Sequence, residues 1–253
     1  MLSKKPWQSE YVLMFAGALV MSFCLTGLLV MILHKAAVTG FADTDSFGFL
    51  LCGTLGIQGV TWFLIPIFLK LHQTGWREAF GLDHPDWGRS MLLAIGLLVL
   101  VLPLILLLQN LCVALLTRLG FPPENQKAVE MFLNAKTPWA QGYFVFFAIV
   151  LAPVAEEFIF RGVLYPFVKQ LGWPRLAFFG VSALFALIHF DTATFIPLFT
   201  LALLFTWIYE KTDCLLASIT AHALFNTTNV LLLFFLPEIS DFMQHTLHLG
   251  APQ

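Results

Sequence analysis

From Ser90 to Leu116 the chain reads SMLLAIGLLVLVLPLILLLQNLCVALL, without one charged side chain. A bilayer core is about 30 Å thick and a helix rises 1.5 Å per residue, so roughly 20 apolar residues suffice to cross it. This stretch exceeds that length, and Pro103 within it predicts a tilt or kink. Tyr11–Leu33 and Phe47–Leu69 meet the same test, again without a charge. A lone segment can satisfy its own backbone in lipid only as a helix. The fold class is therefore all-α: a polytopic transmembrane helical bundle of about seven to eight helices.

Composition agrees. Hydrophobic residues are 59% of the 253, charged residues 11%, and mean hydropathy is +0.84. Soluble domains carry about a quarter of their residues as charge. The net charge of -2 removes the basic excess that a nucleic-acid partner requires. Cys24, Cys52, Cys112 and Cys214 form no Cys-x-x-Cys pair, and the first three lie in apolar runs, so buried, inert thiols are expected. The apolar run after Lys4 and Lys5 is longer than a signal-peptide core, which predicts an uncleaved first helix. The chain reads as one membrane domain, 1–253, with a polar-studded part at 139–236.

Between Arg118 and Pro138 the chain is polar, and Ala128–Ala135 is mildly amphipathic, suggesting an interfacial segment. Trp139–Val168, Leu176–Phe190, Phe195–Tyr209 and Cys214–Leu236 are the further helices, the middle two short for a span, followed by a polar tail from Pro237. With seven helices, Lys4, Lys5, Lys70, Arg77, Arg89, Lys169, Arg175 and Lys211 fall on one side, and Lys35, Arg118, Lys127 and Lys136 on the other. That bias places the N-terminus in the cytoplasm and the C-terminus outside. The seven tryptophans sit mostly where interfacial anchors would. His34, His72, His84, His245 and His248 fall in loops, edges or tail and are expected to be solvated.

The chemistry lies in the second half. An ionisable side chain mid-membrane costs about 2.5–3.5 kcal/mol on insertion scales, yet Glu156, Glu157 and Arg161 share one apolar segment. Glu157 and Arg161, four apart, can pair on one helix face. Glu156 lies about 100° around the helix and is left to face another neighbour. His189 ends one segment, and His222 and Asn226 share a face of the last. Converged, these groups suit peptide hydrolysis: Glu and His can activate a water, and His and Asn can donate to a developing oxyanion.

Each residue also has a plainer reading. Glu157–Arg161 could be a structural ion pair, His189 a helix-end histidine, and His222 with Asn226 interhelical glue. Gly180-Val181-Ser182-Ala183 is similar to the serine motif of rhomboid proteases, but has Ala where those have Gly. Asp191 lacks both a Gly-x-Gly-Asp context and an apolar partner aspartate. A proton-coupled transporter and a non-catalytic membrane binding or immunity protein are the alternatives of other classes; no paired half-repeats support the first.

Glu156-Glu157 with Arg161, Phe185 four before His189, and His222 four before Asn226 together resemble the three motifs of the CAAX-protease and bacteriocin-processing (CPBP) family, in the family's order. The resemblance covers about Val150 to Thr228. It implies proteolysis within or beside a membrane, typified by CAAX processing of prenylated proteins. It further implies that Glu156 activates water with His189, that His222 and Asn226 stabilise the oxyanion, and that Glu157 and Arg161 support the site. The family has been discussed both as metalloprotease and as metal-independent glutamate protease. Glu156, His189 and His222 could hold a zinc, but His-Glu-x-x-His is absent, so no obligatory cofactor is favoured. The expected partners are membrane lipid and a peptide or membrane-anchored protein substrate, and the expected location is a bacterial inner membrane. A prenylated C-terminus, a bacteriocin leader and another membrane-anchored peptide remain open as substrates.

Overall fold

The computed structural model describes residues 2–36, 38, 47–82, 86–121 and 137–248, with side chains through Phe235. The described residues form eight helices and no strand: α1 Ser9–Lys35, α2 Phe47–Leu71, α3 Trp76–Phe80, α4 Trp87–Arg118, α5 Pro138–Gln170, α6 Pro174–Leu187, α7 Phe195–Thr212 and α8 Leu215–His248. Five are long and apolar enough to cross a membrane: α1, α2, α4, α5 and the Leu215–Phe235 part of α8. The chain is an integral membrane protein. The helix α4 runs unbroken through Pro103. The segment Ala128–Ala135 lies outside the described residues.

Two apolar clusters hold the bundle. One joins the N-terminal segment, α1, α2, α3, α5 and α6 through Trp7, Phe15, Phe68, Phe80, Phe158 and Phe185. The other joins α4, α7 and α8 through Leu98, Ile105, Leu201, Phe205 and Ala221. Phe47 packs on Tyr143 and Trp62 on Phe158, so α2 and α5 run in the same direction. The hydroxyl of Ser22 on α1 donates to the Gly56 carbonyl of α2, and a Cβ on Gly56 would collide with Thr26. Only glycine permits that close crossing.

The helix that matters most, α5, is irregular. It contains two wider, π-type turns, Phe147–Leu151 and Phe158–Leu164, on either side of Glu156 and Glu157. Such turns often mark functional sites. Two prolines explain much of the geometry. Pro153 and Pro166 have no N–H to offer the preceding turn. The Ala148 carbonyl, five residues before Pro153, accepts instead from Asn226 Nδ2 at 2.7 Å. The Gly162 carbonyl, four residues before Pro166, accepts from the Trp7 indole N–H at 3.0 Å. Each orphaned acceptor is met by a side chain from elsewhere in the fold.

Several sequence expectations need correction. Trp7 is no interfacial anchor; it is buried between Phe68, His72 and Phe80 because its N–H is needed at Gly162. His72 is not solvated. It is buried, with Nδ1 2.7 Å from the Phe68 carbonyl and Nε2 accepting from the Gln8 N–H at 2.9 Å. Lys5 is buried against Asp213 at 2.8 Å. Of the four thiols only Cys214 is buried; Cys24 is exposed on the outer face of α1. The polar tail from Pro237 is not a separate segment, since α8 continues to His248. Lys5 meets Asp213, and Lys169 meets Glu210 at 2.6 Å. The N-terminus, the end of α5 and the α7–α8 turn therefore share one end of the bundle, as the Lys and Arg distribution groups them.

Candidate active site

In the middle of α5, Glu157 and Arg161 are fully buried, at 0% exposure, and joined at 2.9 Å. The expected i,i+4 pair is present. Their insertion is offset by further partners that sequence spacing did not reveal. Arg161 Nη2 donates to the Ala202 carbonyl at 2.8 Å and Nε reaches Thr206 Oγ1 at 3.4 Å, both on α7. Its guanidinium lies 4.7 Å from the Phe185 ring and 5.3 Å from the Phe205 ring. A planar cation with five donors suits a dry site lined by two rings and a carbonyl.

The Glu157 carboxylate is held from α8 as well. Oε1 accepts from Arg161 and lies 3.0 Å from His222 Nδ1, while Oε2 accepts from the Ser218 hydroxyl at 2.7 Å. A carboxylate facing an arginine can only accept, so His222 Nδ1 carries the proton. The His222 ring stacks on Phe205, with centroids 4.8 Å apart at 27°, and meets Phe185 edge-on at 5.7 Å. With one face and one nitrogen fixed, its Nε2 points towards Glu156 Oε2, 3.8 Å away. Glu156 thus faces a different neighbour from Glu157, as the helix geometry requires. Its side chain keeps 20% of its surface accessible, so of the two glutamates it is the accessible one.

Asn226, one turn beyond His222, is partly buried and spends one amide hydrogen on Ala148. His189 closes α6 with Nδ1 2.7 Å from the Phe185 carbonyl and its ring 4.9 Å from that of Phe185. It is exposed and is not among the contacts of Glu156 or His222; the Phe185 ring stands between the two histidines. The structure therefore brings Glu156, Glu157, Arg161 and His222 into contact, with Asn226 on the same helix face and His189 at the rim. Among the described residues no three His, Cys, Asp or Glu side chains converge as a metal-binding group.

Ser182 is fully buried, with its hydroxyl 2.7 Å from the Phe178 carbonyl and 3.2 Å from Thr206 Oγ1. It braces α6 against α7 and does not face His222. Asp191 accepts from the Ala193 N–H in the α6–α7 turn.

The family model described as type II CAAX prenyl endopeptidase Rce1-like matches residues 138–228, from the start of α5 to two residues past Asn226. Residues 138–228 are a domain of that family. The Rce1-like domain holds every residue of the site just described, and α1 to α4 lie outside it. The chain is also similar to UPF0177 protein YaiF of Lactococcus lactis subsp. lactis (strain IL1403), 36% identical over 107 residues. That alignment covers 41% of this chain and 45% of the relative, so the chain spans under half the length of the relative it matches. No solved structure matches the chain.

Proposed function

We propose that the protein is an intramembrane endopeptidase that hydrolyses a peptide bond of a membrane-associated substrate. The observation that carries this reading is the pairing of accessible Glu156 with His222 Nε2 at 3.8 Å. That gap is too long for a hydrogen bond but short enough for one substrate water to touch both groups. Glu156 takes a proton from that water as its oxygen attacks the scissile carbonyl carbon, with His189 assisting from the rim. The carbonyl π electrons pass to oxygen. His222, protonated on both nitrogens, and the second Asn226 amide hydrogen donate to the oxyanion. Collapse of the tetrahedral species reforms the carbonyl and breaks the C–N bond. Glu156 then returns its proton to the departing nitrogen, leaving a carboxylic acid and an amine, and the acid releases its remaining proton to water.

Glu157 and Arg161 do not touch substrate in this scheme; Glu157 holds His222, and Arg161 balances the Glu157 charge. This scheme uses no metal; a zinc, if one is bound, would be held by Glu156, His189 and His222 and would supply an activated water. The substrate is a peptide presented from the bilayer, with a prenylated C-terminus one candidate, and the N-terminus lies on the cytoplasmic side of a bacterial inner membrane. The test is cleavage of a quenched fluorescent peptide panel, with and without a prenyl group, by purified full-length protein in nanodiscs. Wild type is compared with Glu156→Ala and His222→Ala, each with and without chelator. Chelator-insensitive cleavage lost in both variants supports the reading. Chelator-sensitive cleavage moves the same residues into metal-ligand roles. No cleavage across the panel overturns it in favour of a binding protein.

A further inference from the structure

The Ser218 hydroxyl is fully buried on α8, one turn before His222, and bonds to the carboxylate oxygen of Glu157 that neither Arg161 nor His222 uses. We infer that Ser218 is a positioning residue for His222, acting through Glu157 to keep Nδ1–H on the carboxylate and Nε2 aimed at Glu156 and substrate. This inference rests on the endopeptidase reading for its catalytic consequence, though not for its structural content.

The argument is one of competing pulls on a single carboxylate. Arg161 and His222 both hold Oε1. The terminal torsion of a glutamate is soft, and an arginine prefers to engage both oxygens of a carboxylate side by side. Here that arrangement is blocked. Arg161 Nη2 is committed to the Ala202 carbonyl, and Ser218 holds Oε2 on the α8 side at 2.7 Å. The carboxylate plane is thereby fixed between α7 and α8 with Oε1 aligned on His222 Nδ1. Without Ser218, Oε2 is left without its donor in a fully buried carboxylate, which is unfavourable. Rotation towards Arg161 then relieves it at the expense of His222. The imidazole, no longer tied, can place its proton on either nitrogen.

The predicted consequence is selective. Substrate still binds, because Ser218 lies beneath the site and is fully covered. The chemical step suffers, because an untied His222 ring no longer holds its Nε2–H on the oxyanion. Ser218→Ala is expected to lower kcat about tenfold with KM within about twofold. Ser218→Cys keeps the shape with a weaker donor and should fall between the two. It also serves should Ser218→Ala fail to accumulate as folded protein.

The experiment pairs steady-state cleavage with 15N spectra of histidine-labelled full-length protein in nanodiscs, the His222 signal being identified by its absence in His222→Gln. Wild type should show a proton on Nδ1 at every pH, whether the ring is neutral or charged. Ser218→Ala should show the Nε2-protonated tautomer on the alkaline side together with the drop in kcat. Wild-type kcat and an unchanged His222 signal in Ser218→Ala overturn the inference while leaving the endopeptidase reading intact. If wild type cleaves nothing but the tautomer still responds to Ser218→Ala, the endopeptidase reading falls and the positioning role of Ser218 stands.

Discussion

Replacing Arg161 by Met tests how far the buried ion pair governs the fold. The substitution keeps a long apolar side chain between the Phe185 and Phe205 rings, so little packing is lost. What goes is the cation facing Glu157, whose side chain has 0% exposure and no route to water. Ser218 and His222 remain as donors, but neither brings a permanent positive charge. Removing one member of a buried pair costs about 3–5 kcal/mol, most of it the penalty of the stranded charge. That range applies in full here because the guanidinium is sealed on every side. The double variant Arg161→Met, Glu157→Gln exchanges the stranded charge for a neutral amide and should recover at least half of the loss. Unfolding by SDS titration in mixed micelles, followed by tryptophan emission, gives the four corners of the cycle. The reasoning is refuted if Arg161→Met stays within about 1 kcal/mol of wild type, or if the double variant is no more stable than the single.

Three further outcomes follow from other contacts in the fold. Burial pushes the Asp213 carboxyl up, but hydrogen bonds from Lys5 and Ser3 and the Lys5 charge outweigh it and hold the group below its ordinary value. The folded state therefore binds fewer protons there than the unfolded state. The contact contributes its stability above the ordinary carboxylate range and loses it as pH falls through the lowered value. Lys5→Met should cost about 1 kcal/mol at neutral pH and flatten the stability–pH curve where pH falls below the ordinary carboxylate range. Trp7→Phe retains the ring but leaves the Gly162 carbonyl without its donor, a loss of about 1–3 kcal/mol readable in the same SDS titration. Asn226→Ala should lower kcat through the oxyanion. It should also destabilise α8 against α5 by about 1–2 kcal/mol, because the Ala148 carbonyl has no proline N–H to fall back on.

The long apolar runs placed α1, α2 and α4 because span length is a local property that hydrophobicity alone reports. Glu157 with Arg161 was equally legible, since four-residue spacing fixes a shared helix face whatever surrounds it. Ser218 stands four before His222 and obeys the same rule, but a serine on a membrane helix is common enough to pass unnoticed. Ala202 and Thr206 could not be found that way, because their role depends on α7 crossing α5 at Arg161. Trp7 and His72 were misread for a related reason. Aromatic and basic residues near a first span look like interfacial or topological signals, and only the folded-back N-terminal segment shows them inside. The π-type turns of α5 had one visible cue, Pro153 and Pro166 within a segment that must stay helical. Which carbonyls those prolines would free, and which side chains would answer, is a matter of tertiary contact.

The most direct test of the account is hydrolysis of a cleavable membrane peptide in 18O-labelled water by the wild type and by Glu156→Gln, in parallel proteoliposomes. The account predicts a wild-type product with 18O in its new carboxylate and, from Glu156→Gln, at most a trace of product although the peptide still binds. Product formed by Glu156→Gln at the wild-type rate would contradict it.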